Sequence, residues 1–151
     1  MNELPEASPP TNRMVIAVLS LVGFFVAFYL LAHHVGWVGS LICGVGDCAA
    51  VQASKWSSVG PVPTSAIGMV GYVALMAVSI LGLQPAHISA AWVGRSLLVL
   101  SSLALAYSVF LTYLEAYVIH AWCQWCVTSA VLVVVIFAAS LLEVPRLRRG
   151  A

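Results

Sequence analysis

The chain has 151 residues, of which 62% are hydrophobic and only 7% are charged, and its formal net charge is +1. Soluble domains carry roughly a quarter charged residues, so this composition excludes an ordinary soluble protein. A net charge so close to zero also excludes a nucleic-acid partner, because a phosphate-binding face needs clustered Lys and Arg. We expect one domain whose apolar side chains face membrane lipid.

Four apolar stretches are long enough to cross a membrane. A hydrocarbon core of about 30 Å requires roughly 20 residues of apolar helix, and a helix satisfies its own backbone hydrogen bonds. The sequence therefore predicts an all-α integral membrane protein, a bundle of four transmembrane helices. The predicted spans are 14–32, 62–83, 96–120 and 126–142, flanked by a disordered cytoplasmic tail at 1–13 and a basic cytoplasmic tail at 145–151.

The basic residues predict the orientation of the bundle. Alternating helices place both termini and the 84–95 loop on one side, together with five of the six Lys and Arg residues; Lys55 lies on the other. Short cytoplasmic loops are enriched in Lys and Arg. We therefore expect both termini in the cytoplasm, with the 33–61 loop and the 119–125 turn facing outward.

One cysteine pair lies at the predicted start of the fourth helix, in Cys123-Gln124-Trp125-Cys126. This spacing puts the two sulfurs one helical turn apart, close enough to bridge. The free N–H groups and the dipole of a helix N-terminus stabilise a thiolate. The motif predicts a reactive redox pair.

The other pair, Cys43 and Cys48, lies in the predicted outward loop. Gly44 and Gly46 make the segment between them pliable, so the two sulfurs can close a small ring or separate. All four cysteines thus fall on the outward side, where disulfides persist in bacteria.

A short helix is predicted to follow the loop pair, over 48–57, on the membrane surface. Asp47 has the side chain of a helix N-cap. Ala49, Ala53 and Trp56 would form its apolar face.

Three interpretations of the cysteines compete. They could form two static disulfides in a non-enzymatic membrane scaffold, or four thiols could bind zinc. The outward compartment oxidises thiols, which disfavours zinc, so no metal is predicted. One flexible pair beside one fixed pair favours electron transfer between them.

The motifs in combination resemble those of the vitamin K epoxide reductase family, over roughly 14–142. They are the loop cysteine pair, Ser54-Lys55-Trp56, Gly60-Pro61-Val62-Pro63 opening a helix, Gly68 and Tyr72, and the stretch from Tyr113-Leu114-Glu115 to the CxxC. A second family of membrane disulfide oxidases carries its two cysteine pairs in the reverse order.

The resemblance implies a bundle that holds a quinone, menaquinone or ubiquinone, near its outward end. Cys126 would lie nearest the quinone, Cys123 would exchange with Cys48, and Cys43 would meet an outside partner. Ser54 matches the family's loop serine, beside the relay.

Bacterial members of that family pass electrons from a thioredoxin-fold partner to quinone and so drive disulfide formation in exported proteins. The resemblance therefore implies a bacterial inner-membrane enzyme. Many bacterial members are fused to the thioredoxin-like domain, whereas this chain ends at Ala151, so we expect its thioredoxin-fold partner to be a separate protein. Animal members have Thr-Tyr-Ala just after the CxxC, whereas Val127-Thr128-Ser129-Ala130 stands here. This departure argues against vitamin K epoxide as the substrate, although reduction of quinone or of the epoxide stays an alternative main task.

Three further residues are candidates at the outward end. Glu115 could shuttle protons to the quinone or hold an interfacial hydrogen bond. Thr64 and Ser65, near the start of the second span, could hydrogen-bond a quinone oxygen or serve helix packing.

Overall fold

The computed structural model describes residues 10–149. Its helices are α1 (Thr11–His34), α2 (Cys48–Ala53), α3 (Thr64–Leu81), α4 (Ala91–Tyr113), α5 (Gln124–Leu141) and α6 (Val144–Arg149). A π-helical segment, Leu114–Ile119, continues α4. Four helices of the described chain are long and apolar enough to cross a membrane. The predicted all-α bundle of four membrane helices is confirmed.

The four long helices form a closed ring. α1 packs against α3 and α5, and α4 packs against the same two helices from the other side. The core between them is built from apolar side chains, among them Ile16, Tyr72, Leu75, Leu97 and Ile136. Valine, leucine and phenylalanine side chains cover the outside of the ring, as expected for helices in lipid.

Close packing of α1 on α3 depends on a glycine. A Cβ on Gly23 would collide with the ring of Tyr72, which is buried. Small residues at such positions let membrane helices approach closely, so Gly23 fixes how deep the Tyr72 ring can sit.

The loop between α1 and α3 is ordered. It contains α2, a 3-10 turn at Lys55–Ser57, and a two-stranded hairpin of β1 (Ser58–Val59) and β2 (Val62–Pro63). The second membrane span was predicted to begin at residue 62, but residues 62 and 63 belong to the hairpin. The helix begins at Thr64 instead, because Val62 and Pro63 pair with the preceding strand.

At the end of the bundle opposite the cysteines, Arg13 and Glu143 form a buried ion pair. Arg13 Nη2 lies 2.8 Å from Glu143 Oε2 and Nε lies 3.0 Å from Oε1. Asn12 donates to the same carboxylate, and Arg13 Nη1 donates to the carbonyl of Gly82 at 2.7 Å. The pair joins the first membrane helix to the last.

This ion pair corrects the predicted extent of the N-terminal tail. Residues 11–13, predicted to be disordered, belong to α1, because burial of the Arg13 charge requires them to be ordered. Residues 1–9 of that predicted tail lie outside the described part of the chain. The basic segment predicted as a tail from 145 is helical as far as Arg149.

Candidate functional site

The structure brings all four cysteines together at one end of the bundle. Cys48 and Cys123 are buried in one cluster, and Cys43 and Cys126 pack against it. Cys43 and Cys48 form a disulfide with their Cα atoms 6.1 Å apart, whereas Cys123 and Cys126 are free thiols. An oxidised pair and a reduced pair therefore lie side by side.

The backbone of the loop is docked on the backbone that leads into α5. Gly46 pairs with Cys123 as an isolated antiparallel bridge, and the N–H of Asp47 donates to the carbonyl of Trp122 at 2.8 Å. Gly46 has φ +88°, and a Cβ there would collide with the Trp122 carbonyl oxygen. Gly46 therefore provides close approach and a left-handed turn, where the sequence suggested pliability alone.

The two residues between Cys123 and Cys126 also hold the loop. Gln124 Oε1 accepts hydrogen bonds from the N–H of Gly44 at 2.9 Å and of Val45 at 3.2 Å. Trp125 Nε1 donates to the carbonyl of Ile42 at 2.9 Å. These contacts could not be predicted, because they join residues about 80 positions apart.

α2 begins as predicted, since the Asp47 side chain accepts a hydrogen bond from the N–H of Ala50 at 3.0 Å. The helix ends at Ala53, earlier than the predicted residue 57. Ser54 ends it by donating to the carbonyl of Val51 at 2.7 Å.

The predicted apolar face of α2 is not the face that packs on the bundle. Ala49 and Ala53 are exposed, whereas Cys48 and Val51 are buried. The reason is that the disulfide fixes one edge of α2 on the mouth of the bundle, so the helix packs on protein through that edge.

Glu115 lies beneath the CxxC motif. Its Oε2 accepts a hydrogen bond from the N–H of Cys123 at 3.2 Å, and the same carboxyl lies beside the Cys126 thiol. The side chain is 4% exposed. Within residues 10–149, both ion pairs involve Glu143, so Glu115 is a buried acid without a basic partner.

The segment that carries Glu115 is irregular. Leu114–Ile119 is π-helical, and His120 closes it with φ 56°. π-helical turns occur often at functional sites because the extra residue re-aims a side chain. Here the wide turn ends the third membrane helix so that the chain reverses at once into Cys123.

Cys123 is the residue that precedes the first turn of α5. A hydrogen bond from the Cys126 thiol lowers the pKa of Cys123 to about 7, helped by the backbone N–H groups of Cys126 and Trp125. Burial and the nearby Glu115 carboxyl act in the opposite direction. The balance favours a thiolate at Cys123 near neutral pH.

A cavity of about 370 Å³ opens below the cysteines, between the membrane helices. Its walls are mainly apolar, from side chains such as Leu75, Leu103 and Val133. This volume lies within the usual range for small-molecule sites, which are apolar with a few polar groups. Polar or sulfur-bearing side chains on its lining include Gln52, Ser54, Thr64, Ser65, Tyr72, Tyr107, Glu115, Cys126 and Ser129.

The predicted candidates differ in their hydrogen bonding. Thr64 and Ser65 both line the cavity, and Thr64 Oγ1 donates to the carbonyl of Trp56 at 3.3 Å. Ser54 also lines it, although its hydroxyl caps α2. Gln52, which the sequence did not single out, points its amide at Cys126 Sγ across 3.8 Å.

Two tyrosines on the cavity lining behave differently. The Tyr72 hydroxyl lies 2.7 Å from Ser129 Oγ. The Tyr107 hydroxyl is buried and has no hydrogen-bond partner in the described chain. Neither Ser129 nor Tyr107 was predicted, because a lone polar residue in an apolar span carries no pattern.

Residues 10–149 contain no group of three or more His, Cys, Asp or Glu side chains placed to hold a metal ion.

A comparison with protein families adds to this geometry. The model of the family described as "Vitamin K epoxide reductase family" matches residues 14–141. The match covers the cysteine loop, the CxxC motif and nearly all of the four membrane helices.

Proposed function

The chain belongs to the vitamin K epoxide reductase family, and we propose that it oxidises a thioredoxin-fold partner and passes the electrons to a quinone. Membership makes it a multi-pass membrane oxidoreductase of a family that acts on thiols and quinones. The partner, the direction of electron flow and the quinone acceptor are our proposal. Its role in the cell would be to drive disulfide formation in exported proteins.

One observation carries the proposal. A closed Cys43–Cys48 disulfide packs against the free thiols of Cys123 and Cys126, and Cys126 lines the apolar cavity. Electrons therefore have a short path from the loop, through the CxxC, to a site inside the membrane.

The exchanges follow from thiolate attack on disulfide sulfur. A partner thiolate attacks Cys43, the Cys43–Cys48 bond breaks, and the partner's second thiolate resolves the mixed disulfide, so the partner leaves oxidised. Cys48 then attacks Cys123 of an oxidised Cys123–Cys126 pair, and Cys126 leaves as a thiolate. Cys43 next attacks Cys48, which closes the loop disulfide and leaves Cys123 and Cys126 reduced. An oxidised loop pair beside a reduced CxxC pair is the arrangement expected after this internal exchange.

The cavity suits a quinone in size and in its apolar lining. When bound, a quinone would accept the two electrons that are released as Cys123 and Cys126 close their disulfide, together with two protons, one of them from the Cys126 thiol. Cys126, Thr64 and Ser65 lie on the lining and are our candidates for contact with the head group.

Glu115 is placed to move a proton between Cys126 and the cavity. It lies beside that thiol, lines the cavity and has no cation to hold it ionised among the described residues. The hydrogen bond from the Cys123 N–H orients the carboxyl. A protonated carboxyl so placed can give its proton to an acceptor in the cavity and then take the Cys126 proton.

We also propose that the cysteines face outward from a bacterial inner membrane. The opposite end of the bundle carries Arg146, Arg148 and Arg149 in α6. A cluster of arginines beside a membrane helix favours the cytoplasmic side. The outward side is then the oxidising one, where a thioredoxin-fold partner would act.

The test uses the purified protein in lipid nanodiscs with a reduced thioredoxin-fold protein and a quinone, followed by quinone absorbance. We expect partner-dependent reduction of the quinone that is lost in Cys123→Ser and in Cys126→Ser. Val109→Ala, on the lipid-facing surface, is the matched control and should retain full activity. Turnover in Cys126→Ser would contradict the assignment of that thiol.

A scaffold with two structural disulfides is the rival function. The two free thiols at the helix mouth argue against it. Trapping the cysteine redox state in cells separates the relay from the scaffold. When the quinone pool is reduced, the cysteines of a relay should become reduced, whereas those of a scaffold should stay oxidised.

A further inference from the structure

The Tyr107 hydroxyl has no function in the fold. It is buried, and no group of the described chain hydrogen-bonds to it. Buried polar groups in native proteins are nearly always paired, and an unpaired one calls for an explanation. Because Tyr107 is one of the residues that line the cavity, a molecule bound there is the available partner for this hydroxyl.

The other tyrosines in the described chain differ from Tyr107. The hydroxyl of Tyr72 bonds to Ser129, and that of Tyr29 accepts from the N–H of Ile42. The rings of Tyr113 and Tyr117 are 55% and 69% exposed on the outside of the bundle. Tyr107 alone among them combines a buried hydroxyl, a place on the cavity and an unused hydrogen bond.

The spacing of Tyr107 and Glu115 along their helix indicates what kind of molecule fits the cavity. Tyr107 and Glu115 leave the same continuous helix about 12 Å apart, at 1.5 Å per residue. Both residues line the same cavity, so a molecule that contacts both polar ends must span several ångströms and also form a hydrogen bond of about 2.8 Å at each end. That length matches a flat ring with one carbonyl oxygen at each end.

We propose that the Tyr107 hydroxyl donates a hydrogen bond to the quinone carbonyl oxygen that lies away from Cys126. This inference rests on the proposed function, because it assigns a contact within the same cavity. It makes Tyr107 the residue that sets how far the ring enters the bundle, and so holds the other end of the ring beneath Cys126 and Glu115.

The experiment measures binding without turnover. The probe is 2,3-dimethyl-1,4-naphthoquinone, whose ring positions are blocked against thiol addition, with all four cysteines oxidised. Binding is followed by quenching of tryptophan fluorescence, since Trp56 lines the cavity. Tyr107→Phe should raise the Kd by about 3- to 10-fold, the effect of one neutral hydrogen bond. Tyr113→Phe, on the exposed face of the same helix, should leave the Kd unchanged.

Infrared difference spectra give a second readout. A carbonyl that accepts a hydrogen bond absorbs at lower frequency, so Tyr107→Phe should shift one of the two carbonyl bands of the bound probe upward. Thermal unfolding gives a third. Without the probe, Tyr107→Phe should unfold at the same temperature as the wild type or higher, because the hydroxyl has no protein partner to lose.

The outcomes separate this inference from the proposed function. Equal Kd values and unchanged carbonyl bands in Tyr107→Phe, with the wild type binding the probe, would overturn the role of Tyr107 alone. A lower unfolding temperature in Tyr107→Phe without the probe would also overturn it, by revealing a partner in the protein. If the wild type neither binds the probe nor reduces quinone, the proposed function itself fails.

Discussion

Gln124 and Gly44 are joined by a hydrogen bond of 2.9 Å from the glycine N–H to the glutamine Oε1. The same oxygen also accepts from Val45. A residue inside the CxxC motif therefore positions the loop that carries the other cysteine pair. Alignment of the two cysteine pairs depends on the side chain between Cys123 and Cys126, which has no redox chemistry of its own.

Gln124→Ala should slow electron transfer from the partner by about 3- to 10-fold, since two hydrogen bonds that align the loop are lost. Reduction of the quinone by dithiothreitol, which can reach Cys123–Cys126 directly, should be unchanged. Gln84→Ala, at the opposite end of the bundle, is the control. Equal losses with both reductants would mean that Gln124 acts on the CxxC itself.

Cys43→Ala should likewise lose more activity with the protein partner than with dithiothreitol. The physical reason is that the partner must attack a loop disulfide, which this variant cannot form, whereas the small reductant can bypass the loop. Initial rates with both reductants on one preparation measure the effect. If the two activities fall together, Cys43 has a structural role only.

The double variant Cys43→Ser/Cys126→Ser should trap a disulfide between Cys48 and Cys123. Both resolving thiols are absent, and the remaining two lie in one buried cluster. Alkylation under mild oxidant, digestion and mass spectrometry should recover the linked peptide in high yield. The matched control is Cys48→Ser/Cys126→Ser, which cannot form it. A double variant that stays fully reduced would refute the order of the relay.

The lowered pKa of Cys123, about 7, predicts the pH dependence of its thiolate absorbance in the ultraviolet. Above that pKa the residue is a thiolate and below it a thiol, so the absorbance should rise with pH through 7 and then level off. Cys126→Ala removes the main hydrogen bond to the thiolate and should move the rise to higher pH. Ultraviolet difference spectra against Cys123→Ser measure both profiles.

Glu115→Gln should reduce quinone turnover by about 100-fold or more, the usual range for losing a general acid or base. The amide oxygen can still accept from the Cys123 N–H, so the motif keeps its shape. Single-turnover exchange between the partner and the loop disulfide should be unaffected. Were both steps to slow equally, Glu115 would be a support for the backbone of Cys123.

Glu143→Gln should be the more destabilising of the two glutamate substitutions. It leaves the Arg13 charge buried without its partner, and breaking such a pair costs about 3–5 kcal/mol. The double variant Arg13→Met/Glu143→Leu removes both charges and should recover most of the loss. Thermal unfolding in nanodiscs compares the three proteins.

The four spans and the spacing of the cysteines could be predicted because their signals are local. Runs of apolar residues give the membrane helices, and the CxxC spacing lies within one turn of a helix. The predicted helix boundaries were wrong where a residue far away in the sequence decides where the helix begins. Thr11 to Arg13 became helical because Glu143 neutralises Arg13, and the second helix began late because Val62 and Pro63 pair with a strand.

The cysteines of the site could be predicted from the sequence, but most of the residues around them could not. Glu115 was visible as a carboxylate in an apolar span, but its bond to the Cys123 backbone depends on the π-helical turn between them. Gln124, Gln52 and Tyr107 had no sequence signal. Their roles come from helices and loops that the fold brings together from far apart in the chain.

The Arg13–Glu143 ion pair also sets an order of events during synthesis. The two residues are 130 positions apart, so at about 5–20 residues per second the arginine waits roughly 6 to 26 s for its partner. Throughout that time the N-terminal end of α1 carries an unpaired cation, which resists passage through the lipid. In the orientation that we propose, this charge holds that end of the helix on the cytoplasmic side. Once the last helix arrives, the carboxylate neutralises the same charge and locks the ring of helices shut. One side chain thus directs insertion early and completes assembly late.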